Sequence, residues 1–322
     1  MIESRSDFVV GVNYPWRHYG QDFGTSAWGH RGFSSAGAEV QADFETIRAT
    51  FDPYPTKVVR VFIFADGRCS PEFKENGEVA GFDEYFFPDF DVLVDSAARS
   101  GLQLIPALLD FHWLRPGGEV NGVRIGGHSD VISDPSRRES FLERALAPLL
   151  ERYGRRPEIF AWDIINEPEW ETRRGGFWRL SRRPRLESGS VRAFTRACAS
   201  LIHRTTSQGV TLGSARPQWL RLWMETDLDL HQCHWYQSQI RLWLARLLRR
   251  ERPLDRPCLV GEAPTANTRA SVRDYLERAQ RQGYAGLLFW SFRATDRYTD
   301  FQKLSAALQA WKDVQPGEPM SA

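Results

Sequence analysis

The chain has 322 residues, 42% apolar and 26% charged, with a formal net charge of +1 at neutral pH. That balance fits a soluble folded protein and gives no global pull toward nucleic acid or an anionic membrane. The opening MIESRSDFVV does not read as a signal peptide, and no apolar run reaches the length of a membrane span.

In chain order, short β-branched or apolar runs alternate with stretches of helical period. Residues 8–13 read as a first strand and 39–50 as a helix. Residues 58–64 and 90–100 form the next pair, then 102–109 and 136–153, then 159–165 and 190–208. Residues 210–214 and 228–234 are two further strands, and 240–250 is a helix. Residues 258–261 and 271–282, then 286–291 and 304–312, complete the series. Runs without polar alternation are expected of strands buried on both faces. Gly101, Gly154, Gly209 and Gly283 follow four of the helices, where left-handed caps are expected.

Eight such units in one chain predict an α/β fold, a single (β/α)8 TIM barrel over residues 1–322. An open dinucleotide-binding sheet would need a glycine-rich turn after its first strand. Here that turn reads Asn13-Tyr14-Pro15-Trp16.

In such barrels the chemistry sits where the strands end. The ends carry Asn13, Tyr14 and Trp16 (strand 1), Asp110, His112 and Trp113 (strand 3), and Asn166-Glu167-Pro168 (strand 4). His234, Trp235 and Tyr236 end strand 6, Gly261-Glu262 strand 7 and Trp290 strand 8, while Arg60 lies within strand 2. Glu167 and Glu262 are 95 positions apart, which sets them across the barrel mouth on strands 4 and 7. Two carboxyls facing one site are the equipment of glycoside hydrolysis. An excess of tryptophan, 12 residues, suits stacking on the C–H faces of sugar rings. Neighbouring strand residues point to opposite faces, so Asn166 and Glu167 require a bulge or turn onset.

The stretch Trp162-Asp163-Ile164-Ile165-Asn166-Glu167-Pro168 resembles the acid/base motif of the glycoside hydrolase clan that includes family 5, with its cellulases and mannanases. The resemblance implies Glu167 as acid/base and Glu262 as nucleophile of a retaining β-glycosidase. It implies that Asn166 bonds the sugar 2-hydroxyl and that Arg60 keeps the nucleophile ionised. It implies Tyr236 and His234 beside the nucleophile, with His112 and Trp290 lining the sugar subsite. Trp113 and Trp16 complete the candidate sugar-binding set. Where the family has an aromatic and then a glycine after the nucleophile, this chain has Ala263-Pro264. The expected substrate is a β-glucan, β-mannan or related oligosaccharide. An exo-acting enzyme of the same fold and a non-catalytic carbohydrate-binding barrel are the alternatives.

The two carboxyls carry the whole chemistry, so no cofactor is expected. The pair His231 and His234 would face opposite sides of a strand, which argues against a metal site. Cys69, Cys198, Cys233 and Cys258 are scattered and read as reduced thiols. The expected location is the cytoplasm, or the periplasm or exterior for a processed form. The expected partner is carbohydrate, with no nucleic acid or membrane, and the sequence leaves oligomeric state open. The arginine-rich loop 173–192 reads as a solvated insertion or a wall of the cleft.

Overall fold

A computed structural model describes residues 8–52, 54–173, 186–236 and 254–314. Eight parallel strands close into a barrel: β1 (Val9–Asn13), β2 (Lys57–Phe62), β3 (Gln103–Asp110), β4 (Ala161–Asn166), β5 (Gly209–Ser214), β6 (Leu230–His234), β7 (Cys258–Pro264) and β8 (Gly286–Trp290). Each pairs with its sequence neighbours, and β1 closes on β8. The expected α/β barrel is therefore the observed fold, with every strand within a few residues of its predicted position.

The outer layer includes α1 (Gly37–Phe51), α2 (Phe86–Ser100), α3 (Ser188–Thr205), α4 (Val272–Arg281) and α5 (Phe301–Val314). The helix predicted at 136–153 forms as Pro135–Phe141, a π turn at Leu142–Leu146, and Ala147–Tyr153. The segment 240–250 lies outside the described residues. Gly101 and Gly283 adopt positive φ as predicted. Gly154 and Gly209 do not: Gly154 is right-handed, and Gly209 opens β5 opposite Ala161. Among the described residues, no helix is long and apolar enough to cross a membrane. All four cysteines are buried and none is in a disulfide among the described residues.

The barrel interior is layered. Val9, Val58, Ile105, Ala161, Leu230, Leu259 and Leu288 fill its lower end with hydrocarbon. Above them the inward positions turn polar: Asn13, Arg60, Asp163 and Gln232 are wholly buried. At the mouth Phe62 and Trp290 pack with Trp16, Tyr236 and Tyr298. The alternation of β2, with Val59 and Val61 in the outer core and Val58, Arg60 and Phe62 inside, carries one strand through all three layers.

Two irregularities aim the rim. The β4–β5 register slips between Thr211, opposite Asp163, and Gly213, opposite Asn166. The β6–β7 register slips between Cys233, opposite Val260, and His234, opposite Glu262. Such bulges redirect side chains at barrel rims.

Candidate active site

Arg60 organises the floor of the mouth. Its Nε donates to Asp163 Oδ2 at 2.9 Å, and its Nη1 to Glu262 Oε1 at 2.9 Å and Asn13 Oδ1 at 3.0 Å. Nη2 donates to Asn166 Oδ1 at 2.8 Å. Asp163 also accepts from Gln232 Nε2 at 2.8 Å and from the Gly213 amide at 3.0 Å. A buried cation is tolerated only with such a full set of acceptors. Gly213 fits because a Cβ there would lie 2.9 Å from Arg60 Nη2 and 2.8 Å from Gln232 Nε2.

Glu167 follows the β4 bulge in a left-handed conformation, φ 49° and ψ 43°, and so turns its side chain over the mouth. A non-glycine residue held there stores strain of about 1–3 kcal/mol. The bulge and this turn supply the local irregularity the sequence required. Glu167 Oε1 lies 2.6 Å from His234 Nδ1, and Oε2 accepts from Trp170 Nε1 at 2.6 Å. Glu262 Oε2 accepts from the Tyr236 hydroxyl at 2.6 Å. His234 stands between the carboxyls, its Nδ1 also 3.6 Å from Glu262 Oε1. One oxygen of Glu167, one of Glu262 and a nitrogen of His234 all lie within 4.8 Å of one another.

Burial pushes the Glu167 carboxyl up to about 7; the Trp170 N–H, Arg60 and Arg216 oppose that rise and Asp110 adds to it. Burial also raises Glu262 above the ordinary carboxylate value, with the Arg60 cation and Tyr236 hydroxyl pulling the other way. Arg60 does lower this carboxyl, as expected, but loss of water outweighs a cation shared with Asp163, so the net shift is upward. Burial pushes His234 down to about 4, so its ring is neutral at ordinary pH. Tyr236 is raised well above its usual value by burial and by Glu262, and it remains a phenol donor.

The Glu167, His234 and Glu262 atoms are close enough to bind one divalent ion, but Arg60 already places a fixed positive charge 2.9 Å from Glu262. His231 turns away from that group and meets Asp255 at 2.7 Å.

The structure brings most of the expected set together. Asn166 donates to Asp110 Oδ1 at 2.8 Å, and Asp110 also engages the partly exposed ring of His112. Trp290 lies on the mouth beside Trp16, ring centroids 5.9 Å apart, with its Nε1 donating to Asp296 at 2.7 Å. Arg60 and His234 are fully buried and touch the carboxyls, not the open cleft. Trp113 is a correction: it is fully buried, packs on Phe64, Phe73 and His128, and donates to the His128 carbonyl at 3.0 Å. It follows the strand end on a short helical turn that rolls its ring outward into the core. Tyr14 likewise points outward, donating to Asp43 at 2.6 Å. Most of the arginine-rich loop, 174–185 with Trp178, lies outside the described residues. Sequence reasoning missed Gln232, Trp170 as a partner of Glu167, and Arg216 after β5.

No protein-family model matches the chain. It is 23% identical to a mannan endo-1,4-β-mannosidase of Cryptopygus antarcticus, over 97% of this chain and 88% of that protein. It is 27% identical to a mannan endo-1,4-β-mannosidase of Mytilus edulis, over 52% of this chain and 41% of that protein. The crystal structure of the β-1,4-D-mannanase from Cryptopygus antarcticus superposes with a TM-score of 0.74 at 21% identity, covering 95% of this chain and 90% of that one. The likeness runs through nearly the whole of both chains, and the motif that suggested it lies at the mouth of the same barrel, so the chain is similar along its length to these β-mannanases, in keeping with the clan A, family 5-type resemblance of its sequence.

Proposed function

We propose that the chain is a single catalytic domain that cleaves β-mannan internally with retention, using Glu167 as acid/base and Glu262 as nucleophile. The observation that carries the reading is the spacing: one oxygen of Glu167 lies within 4.8 Å of one oxygen of Glu262. Retaining pairs stand roughly 5–5.5 Å apart, while inverting pairs need about 6.5–9.5 Å to admit a water. The unequal surroundings support the division of roles. Glu262 faces Arg60 and Tyr236, which favour the anion, and Glu167 holds its proton up to about 7.

In the first step an oxygen of Glu262 attacks the anomeric carbon while the Glu167 proton passes to the glycosidic oxygen. The carbon–oxygen bond to the leaving sugar breaks, and a glycosyl ester on Glu262 forms. In the second step Glu167, now a carboxylate, takes a proton from water, whose oxygen attacks the same carbon and frees Glu262. Two inversions give retention.

Mannan as substrate follows the mannanases to which the chain is similar along its length. The test is a time course of products from β-mannan beside β-glucan, xylan and aryl glycosides. The expected result is a rapid fall in mannan viscosity with a ladder of short oligosaccharides. Release of a single terminal sugar from the outset would replace the internal mode with an end-acting one. Turnover of glucan or xylan with mannan untouched would overturn the substrate.

A further inference from the structure

The surroundings of Glu167 on its β5 side are a second constellation that the two-carboxyl chemistry does not call for. Oε2 of Glu167 accepts from Trp170 Nε1 at 2.6 Å, and an indole N–H can only donate. Trp170 closes the 3-10 turn Pro168–Trp170 and meets Trp219 edge-on, ring centroids 5.4 Å apart. Arg216 lies over both rings, its guanidinium carbon 5.4 Å from the Trp170 centroid and 4.7 Å from that of Trp219. Among the described residues its buried Nε has no hydrogen-bond partner and it makes no ion pair. The carboxyl whose charge it senses is that of Glu167.

Both pieces are tied to one hub. Glu169, fully buried, accepts from Ser214 Oγ at 2.5 Å, the Ala215 amide at 3.2 Å and Trp223 Nε1 at 2.6 Å. The loop that carries Arg216 is thereby clamped to the turn that carries Trp170. The three side chains that flank Pro168 divide the work: Glu167 faces the cleft, Glu169 grips the loop, and Trp170 returns to Glu167.

We propose that Trp170 and Arg216 are positioning residues for Glu167, the indole N–H holding Oε2 as an acceptor so that Oε1 carries the transferable proton, and the guanidinium supplying positive charge that eases its release. The inference rests on the acid/base reading of Glu167. The other groups facing this carboxyl are His234 on β6, Glu262 on β7, Arg60 on β2 and Asp110 on β3. Of these only Arg60 is a fixed cation, and its charge is divided between Asp163 and Glu262. Trp170 and Arg216 thus offset the burial that would otherwise make Glu167 too reluctant an acid.

The sign follows directly. A donor and a cation stabilise the carboxylate, so removing either strengthens the hold on the proton. The experiment titrates the Glu167 carboxyl by carbon-13 NMR in glutamate-labelled protein and measures the pH profile of kcat/KM on mannan in parallel. The variants are Trp170→Phe, Arg216→Met, and a protein in which Trp170 is replaced by 3-benzothienylalanine, which exchanges only N–H for sulfur. Each should raise the Glu167 midpoint, by about one pH unit for the isostere. The alkaline limb of kcat/KM should move up with it. Unmoved midpoints in the isostere and in Arg216→Met would overturn the proposal, because a merely structural role predicts that result. A midpoint that rises without a matching shift in kcat/KM would leave the effect on Glu167 standing and overturn its reading as the acid.

Discussion

Replacing Arg60 with methionine tests the polar layer of the barrel most severely. The substitution keeps hydrocarbon volume and removes hydrogen bonds to Asp163, Glu262, Asn13 and Asn166, all at 2.8–3.0 Å. Asp163 is fully buried and Glu262 nearly so, and both lose their cation. Breaking a buried pair by deleting one partner typically costs about 3–5 kcal/mol. That is a large share of the roughly 5–15 kcal/mol that holds a domain folded. The assay is equilibrium unfolding in urea at pH 7 and again near pH 4. The deficit should shrink at the lower pH, because Glu262, already raised by burial, loses the cation that opposes that rise and binds its proton more tightly in the folded state than in the unfolded one. Stability from such raised groups is present at low pH and lost as pH rises through their folded values. Adding Asp163→Asn should recover part of the loss at pH 7. A deficit under about 1 kcal/mol, or one independent of pH, would refute the view that Arg60 neutralises this layer.

Glu167→Ala should spare aryl glycosides with good leaving groups more than mannan, since those need little protonation, and added azide should restore turnover as a β-glycosyl azide. Equal loss on every substrate without rescue would contradict the acid role. Trp290→Ala should weaken transition-state binding by about 1–3 kcal/mol through loss of one stacking face, read from kcat/KM on mannan; unchanged kinetics would make Trp290 a packing residue only. Glu169, raised by burial from the ordinary 4.5 to about 7, should make folding stability fall as pH climbs through that window, by about 3 kcal/mol in order of magnitude. Glu169→Gln should flatten that part of the stability curve; an unaltered slope would show that Glu169 titrates normally.

The strands were legible because each is a run of apolar residues buried on both faces, and the two glutamates because they interrupt such runs where strands stop. The polar layer was not. Asp163 and Gln232 sit mid-strand with no local mark, and only barrel closure brings them to Arg60. Trp113 misled because the residues after a strand end can turn either way. The short helix there rolls it into the core, whereas Trp16 stays at the mouth. Gly154 misled because tight packing also demands glycine: a Cβ there would lie 2.4 Å from the Leu150 carbonyl oxygen, while Gly209 opens β5 instead of capping a helix. Trp170 and Arg216 come from a 3-10 turn and a loop, whose geometry carries no periodic signal, although Trp170 stands three residues from Glu167.

The central claim is that Glu262 attacks the sugar while Glu167 manages the proton. A 2-deoxy-2-fluoro-β-mannoside with a good leaving group slows release of the covalent intermediate more than its formation, so the ester should accumulate. Mass spectrometry of a proteolytic digest should then find the fluorosugar on Glu262, and the first product released from an unmodified β-linked substrate should be the β-anomer. A label on another carboxyl such as Glu169, or an α-anomer as the first product, would contradict the account.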